Sequence, residues 1–259
     1  MMLAYKNQEL KIKYESYNFD HMLNNIDIIG TQYTIDAKLR SNNKKATYII
    51  TNKDFTQKYI LKLKLKDYIH SNEINNYKIL KQNLYPTINK IIQIYETSKL
   101  YLIISEYFEG ITLNLCSQFF NFTYGSLENI FIQAINGLIF LHGLSIVHGD
   151  ISPYNILVKQ DIFQYQLVII DFDLTKNIND NICGKNYGTD GFIAPECANG
   201  IHTYKSDIWA LGQTFNICFS SLINDNKHKK KSLYKIINRM TSIDEDTRPE
   251  LGEILDWFN

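Results

Sequence analysis

Apolar and polar positions alternate in short runs through the first part of the chain. Residues 33–39, 46–51, 58–65, 90–97 and 100–105 are rich in Ile, Leu, Tyr and Thr, and polar residues break the runs apart. That pattern predicts strands. Between the third and fourth runs, Ile69, Glu73, Tyr77 and Leu80 recur at intervals of three and four, which predicts one helix within residues 67–83. From Ser126 the period changes for good. Leu127, Ile130, Ala134, Leu138 and Leu141 mark a longer helix, with Ser126 expected as its N-cap. Short strands are predicted at 155–158 and 166–171, and the chain from Lys205 onward reads mainly as helices. Residues 1–30 show no clear period and are expected to form a leader packed on the first half. The expected class is α+β, a small sheet-rich half before a larger helical half, with a cleft between them.

Composition narrows the function classes. Hydrophobic residues make up 45% and charged residues 21%, as in folded proteins and unlike disordered ones. The 27 basic and 27 acidic residues cancel, which argues against a general nucleic-acid surface. The opening MMLAYKNQEL lacks the basic start and apolar run of a signal peptide, and no apolar stretch approaches the ~20 residues of a membrane span. Cys116, Cys183, Cys197 and Cys218 lie far apart, without a CxxC pair or a disulfide framework. A reducing, cytoplasmic setting with packing cysteines is therefore expected. The bias toward Ile, Asn, Lys and Tyr fits an AT-rich genome such as that of a large virus, in which case host cytoplasm or virion is the expected setting.

Phosphoryl transfer asks a protein mainly for positioned charges: groups that hold metal, a cation for the phosphates, and a carboxylate that orients the attacking hydroxyl. The stretch His148-Gly149-Asp150-Ile151-Ser152-Pro153-Tyr154-Asn155 places an Asp and an Asn five residues apart in a loop, and Ile169-Ile170-Asp171-Phe172 leaves Asp171 at a strand end. These segments resemble the catalytic loop and metal-binding turn of eukaryotic-type protein kinases. Gly188–Glu196 resembles the segment that closes the activation loop in that family, and Lys205–Gly212 the buried helix after it. Thr247-Arg248-Pro249 matches the late arginine that pairs with the glutamate at Glu196, and residues 100–107 resemble the strand leading to the adenine-binding hinge. The motifs occur in order over roughly residues 33–258.

The resemblance implies a bilobal kinase domain over 31–259 after a leader at 1–30, with an N-lobe of about 31–106 and a C-lobe of about 107–259. It implies that Asp150 orients the substrate hydroxyl's proton and that Asn155 and Asp171 hold Mg²⁺, or Mn²⁺. Lys62 would hold the α- and β-phosphates of ATP, Glu73 would pair with Lys62, and Glu106 and Tyr107 would lie along the adenine. Read from the residues alone, Asp150 is also a loop-capping carboxylate, and Lys62 a solvated lysine among Lys58, Lys64 and Lys66. Alignment back from Ile79, Leu80 and Pro86 puts Asn76 rather than Glu73 at the pairing position. Glu73 with Tyr77-Lys78 resembles the casein-kinase and vaccinia-related branches.

Several positions depart from the family. Fifteen residues back from Lys62 is Thr47, where the family has valine, so the three loop glycines fall on Arg40, Asn42 and Lys45. No glycine stands there to let the backbone approach a phosphate. Side-chain charge from Arg40, Lys44 or Lys45 would have to substitute, unless this is only a solvated hairpin tip. Gly149 replaces the arginine that contacts a phosphorylated activation loop, which predicts activity without that phosphorylation. His-Gly-Asp here, and Ser152 in place of a lysine, are similar to RIO-type kinases. Asp173 replaces the glycine of Asp-Phe-Gly, a change expected to reduce backbone freedom or bias metal choice. Ser105 takes the gatekeeper place. Lys227-His228-Lys229-Lys230-Lys231 reads as a solvated loop or a site for an acidic partner.

The function implied is an ATP- and Mg²⁺-dependent serine/threonine-protein kinase acting on a protein substrate, with no nucleic-acid or membrane partner. The rivals are a pseudokinase scaffold and a kinase-fold enzyme for small molecules.

Overall fold

The structure is a computed structural model and describes residues 18–24, 26–54, 56–69, 71–162, 164–179, 188–220 and 227–258. Contacts divide the chain into two compact units, one of residues 1–69 and 91–107, the other of 70–90 and 108–259.

The first unit is built on the expected strands: β1 (Tyr33–Ser41), β2 (Lys45–Asn52), β3 (Lys58–Leu65), β4 (Ile91–Glu96) and β5 (Leu100–Glu106). They form an antiparallel sheet in the order β1-β2-β3-β5-β4. Strand alternation sorts the side chains: Leu61, Leu63 and Leu65 join Ala46, Tyr48, Ile50, Leu102 and Ile104 in one buried cluster, while Lys62 and Lys64 point to the opposite face. Two short helices, α1 (Phe19–Asn24) and α2 (Asp27–Gln32), bury Phe19, Leu23 and Ile29 in the same cluster. Each such side chain contributes roughly 1.5–3 kcal/mol when fully buried. Asp20 pins the helices to the sheet, accepting hydrogen bonds from Lys38 Nζ at 2.8 Å and the Tyr48 hydroxyl at 2.6 Å. No helical period shows in this part of the sequence because each helix is six residues long, under two turns.

The second unit holds α3 (Ser71–Gln82), β6 (Ile111–Thr112), α4 (Cys116–Phe119), α5 (Tyr124–Gly143), β7 (Ile146–Val147), β8 (Ile156–Gln160), β9 (Tyr165–Ile169), β10 (Lys176–Asn177), α6 (Tyr204–Ser220), α7 (Lys227–Met240) and α8 (Leu251–Asp256). The predicted apolar stripe of α5 is its buried face, widened by Phe131 and Ile135, and Phe131 packs on Phe215 of α6 with ring centroids 4.2 Å apart. Its start differs from the expectation. Thr123 is the N-cap and Ser126 is the third helical residue of a reciprocal capping box, each side chain satisfying the other's backbone N–H. Ser and Thr three residues apart satisfy either reading, and the apolar stripe begins too late to choose between them.

The Lys227–Lys231 run opens α7, with its side chains outside the described residues, as are Cys183 and the rest of 180–187. No helix among the described residues is long and apolar enough to cross a membrane.

Candidate active site

β7 delivers two fully buried residues, Ile146 and Val147, and the chain then enters the 148–155 loop. Asp207, near the start of α6 and itself buried, organises the entrance by accepting from the backbone N–H groups of His148 at 2.8 Å and Gly149 at 2.9 Å. His142 Nε2 lies 2.9 Å from the same carboxylate. Burial alone would push the Asp207 pKa up. The His142 hydrogen bond, the neighbouring imidazoles and the Gly149 amide outweigh it and hold the carboxyl below its ordinary value.

Gly149 has φ +76°, and a Cβ there would stand 2.7 Å from the Leu174 carbonyl oxygen. Here the backbone leaves no place for the family's arginine. His148, fully buried, accepts the Asp150 N–H on Nδ1 at 3.2 Å and lies 3.2 Å from the Ile170 carbonyl through Nε2, which suits the tautomer protonated on Nε2.

The loop aims its side chains at the Asp150 carboxylate. Asn155 Nδ2 donates to Asp150 Oδ2 at 2.7 Å and to the Asp150 carbonyl at 2.9 Å. Asp150 Oδ1 accepts from Thr189 twice, from the backbone N–H at 2.8 Å and from the hydroxyl at 2.7 Å. The Thr189 hydroxyl also lies 3.4 Å from Ser152 Oγ, so the buried serine at the family's lysine position belongs to the same group. Thr189 was not singled out from the sequence. Its signal is the Gly188-Thr189 pair in the loop-closing segment, but sequence spacing alone could not show that the pair folds back onto Asp150.

Asn155 and Asp171 come to one end of the β8–β9 hairpin. Ile156 pairs with Ile169, and the Ile170 N–H donates to the Asn155 carbonyl at 2.9 Å. Asp171 itself is left-handed (φ 66°, ψ 76°), one of two described non-glycine residues with positive φ. Such a conformation is costly outside glycine and persists where surrounding contacts enforce it. With its amide nitrogen committed to Asp150, Asn155 presents its carbonyl oxygen, and with the Asp171 carboxylate this gives the oxygen donors that a hard divalent cation takes. Among the described residues no three His, Cys, Asp or Glu side chains converge on a metal-sized site. Magnesium is commonly held by one or two carboxylates, with phosphates and waters completing the shell.

Glu73, in the first turn of α3, is 9% exposed. It belongs to the neighbourhood of Tyr77, whose hydroxyl burial pushes well above its usual pKa; the carboxylates of Asp173, Asp171 and Glu73 push it further. Asn76, the other residue weighed at the pairing position, is buried and donates to Thr175 Oγ1 at 3.3 Å. The second unit therefore brings Asp150 together with Asn155, and Glu73 into the surroundings of Asp171.

Lys62, Arg40, Lys45, Glu106 and Tyr107 belong to the first unit. Lys62 pairs across the sheet with Thr47 and with Ile103, so the residue fifteen positions upstream is its direct cross-strand neighbour. Thr47 is buried and its hydroxyl has no hydrogen-bond partner among the described residues. Ser105 is buried on β5, followed by an exposed Glu106 and a half-buried Tyr107, over whose ring Lys58 Nζ lies 5.8 Å from the centroid.

At the β1–β2 turn, the Asn42 N–H donates to the Lys45 carbonyl at 2.9 Å. Asn42 Oδ1 accepts from the N–H groups of Lys44 at 2.8 Å and Lys45 at 3.0 Å. The tip needs no positive φ, which explains how it dispenses with glycine. Lys44 Nζ lies over the Tyr68 ring, 5.2 Å from its centroid.

Arg248 closes the lower part of the second unit. It forms a two-pronged ion pair with Glu196 (2.6 and 2.8 Å), donates to the Ser242 and Lys205 carbonyls at 2.9 Å each, and lies over the Trp209 ring. Removing one partner of so buried a pair costs about 3–5 kcal/mol.

The family model described as "Protein kinase domain" matches residues 41–256. This chain belongs to the protein kinase family. It is 29% identical over 216 residues to serine/threonine-protein kinase par-4 of Caenorhabditis briggsae, covering 70% of this chain and 33% of that protein. It is 27% identical over 246 residues to a putative serine/threonine-protein kinase of Acanthamoeba polyphaga mimivirus, covering 88% and 87%. The match to myosin light chain kinase A of Dictyostelium discoideum covers 63% of that protein, so the chain spans only part of the length of several of these kinases. Among solved structures, the kinase of the Cydia pomonella granulovirus superposes with a TM-score of 0.75 at 18% identity, covering 93% of this chain and 99% of that one. Rad53 residues 1–466, in complex with AMP-PNP, gives 0.71 at 17%, covering 89% and 66%. Those two likenesses establish the kinase fold.

Proposed function

We propose that this chain is a serine/threonine-protein kinase that uses ATP and Mg²⁺ to phosphorylate serine or threonine hydroxyls of a protein substrate. The observation that carries the reading is the Asp150 carboxylate, held by Asn155 on one oxygen and already accepting a threonine hydroxyl at 2.7 Å on the other. A substrate hydroxyl is the same chemical group, and a carboxylate so placed orients it and takes up its proton. Asn155 would thus do two things: its side-chain amide nitrogen fixes Asp150, and its side-chain oxygen would help hold the cation. Asp171 supplies the carboxylate for that cation. Lys62 supplies a cation for the phosphates, and Arg40 and Lys45 add positive charge to the same task. Glu106 and Tyr107 line the adenine side. When bound, Mg²⁺ neutralises the charge that develops on the phosphate oxygens.

Lys62, Asp150, Asn155 and Asp171 are all retained, and the hydrogen bond between Asn155 and Asp150 supports the reading. That favours the enzyme over a pseudokinase scaffold, although the hairpin tip, closed on its own amides, is the feature a scaffold would share. A reducing, cytoplasmic setting fits Cys116 and Cys197, which are free thiols that burial pushes up to about 12 and about 11.

The test is transfer from labelled ATP to a generic acceptor protein with Mg²⁺ or Mn²⁺, wild type against Asp150→Ala, followed by phosphoamino-acid analysis. Label on Ser or Thr that disappears in the variant is the expected result. No transfer with either metal, and no ATP-induced thermal shift, would leave the scaffold reading in its place.

A further inference from the structure

In the second unit, consecutive residues of α3 grip alternate residues of the turn that carries Asp171. The Tyr77 hydroxyl donates to Asp173 Oδ1 at 2.6 Å, and Asn76 Nδ2 donates to Thr175 Oγ1 at 3.3 Å. Thr175 Oγ1 in turn donates to the Phe172 carbonyl at 2.8 Å, tightening the turn from within. The Tyr77 ring meets Phe172 edge-on at 6.3 Å, and Phe172 meets His148 at 5.6 Å. Every member is buried: Asn76 1%, Tyr77 1%, Phe172 1%, Thr175 4% and Asp173 9% exposed.

Asp173 occupies the position where related kinases have glycine. A carboxylate two residues from Asp171, in the neighbourhood of Glu73, is unfavourable in a buried site unless a donor compensates it. Tyr77 supplies that donor without adding a charge that would compete for Asp171. Substituting Asp173 alone takes the acceptor from the buried Tyr77 hydroxyl, and substituting Tyr77 alone takes one donor from a buried carboxylate, so the two positions are energetically tied.

We propose that Tyr77 and Asp173 are positioning residues: their hydrogen bond locks α3 to the metal-binding turn, so that Glu73 and the left-handed Asp171 are set together in the unphosphorylated chain. The lock does the work that a phosphorylated activation loop does elsewhere by way of an arginine, for which the Gly149 backbone leaves no room. The inference rests on the kinase reading for its consequence in catalysis. The lock itself can be read by hydrogen exchange, apart from catalysis.

The experiment compares wild type with Tyr77→Phe, Asp173→Gly and the double variant by two readouts. The first is amide hydrogen exchange without nucleotide. Loss of one charge-assisted bond is expected to speed exchange in 71–82 and 171–177 by about tenfold, with 124–143 unchanged. The second is the Mg²⁺ dependence of steady-state transfer. The Mg²⁺ concentration giving half-maximal rate is expected to rise by about tenfold, while KM for the acceptor protein stays at the wild-type value. In both readouts the double variant should be no worse than the worse single. Exchange that rises evenly across both helices, or an unaltered Mg²⁺ dependence, or additive single effects, would overturn the proposal. An inactive wild type would sink the kinase reading instead, and the exchange pattern would still decide whether the lock exists.

Discussion

The β1–β2 hairpin of the first unit and the 148–155 loop of the second use their hydrogen bonds in opposite ways. At the hairpin tip, backbone N–H groups of Asn42, Lys44 and Lys45 are taken up inside the turn, two of them by one asparagine side chain. In the 148–155 loop, backbone N–H groups are satisfied from outside by Asp207, which leaves the loop's own side chains to converge on Asp150. One loop spends three of its N–H groups on itself. The other is braced from behind by Asp207 and holds a carboxylate by hydrogen bonds on both oxygens, and positioned groups of that kind are what electrostatic catalysis uses. In this chain the 148–155 loop keeps the residues on which the family resemblance rests, while the β1–β2 tip has none of the three glycines.

The comparison breaks most visibly at Asp150. On the role proposed for Asp150 at the acceptor hydroxyl, Asp150→Asn should lower kcat by about 10²- to 10⁴-fold with KM for ATP nearly unchanged. A matching rise in KM for ATP would mean that the loop serves nucleotide binding as well. Next in size is the hairpin. Arg40→Ala with Lys45→Ala should raise KM for ATP by about tenfold at low salt, an effect that shrinks as ionic strength rises. A KM that stays put would remove these side chains from the phosphate site.

The brace can be read through pH. Asp207 has a folded pKa below its ordinary 3.8, so its contribution to stability is fully present above that value and is lost as pH falls through the lowered folded value. Urea unfolding of wild type against Asp207→Asn should therefore show a difference that is constant near neutrality and narrows below about pH 4. A difference independent of pH down to acid would argue that the carboxylate's charge is not what braces the loop. The smallest effect belongs to Asn42→Ala, which removes the acceptor for two exposed N–H groups. It should cost about 1 kcal/mol or less of stability and leave kcat intact, since water replaces an exposed partner. If the same change also tightens ATP binding, the closed tip is a restraint on the nucleotide.

Much of this was legible in the chain. Short runs of Ile, Leu, Tyr and Thr broken by polar residues gave five strands within a residue or two of their ends, because side chains of those types suit a pleated, partly buried surface. Asp150 and Asn155, five positions apart, meet in a hydrogen bond, and the short β8–β9 hairpin brings Asn155 and Asp171 to one end. The late arginine and Glu196, fifty-two residues apart, pair as the family resemblance implied. What could not be read has a common cause. Helices of six residues carry too few positions for a period, so α1 and α2 went unseen, and the choice between Thr123 and Ser126 as N-cap depended on φ and ψ rather than on residue type.

By itself, then, the sequence determined the family, the order of the elements and the identity of the residues that carry charge, since these follow from local periodicity and from residue types at short spacing. Only the tertiary structure decided which polar groups satisfy one another. Asp173 accepts from Tyr77, ninety-six positions away, and Thr189 reaches Asp150 across thirty-nine. Hydrogen bonds of that kind are specified by the packing of whole elements in a low-dielectric interior, where an unpaired group is costly, and no local pattern in the chain encodes them.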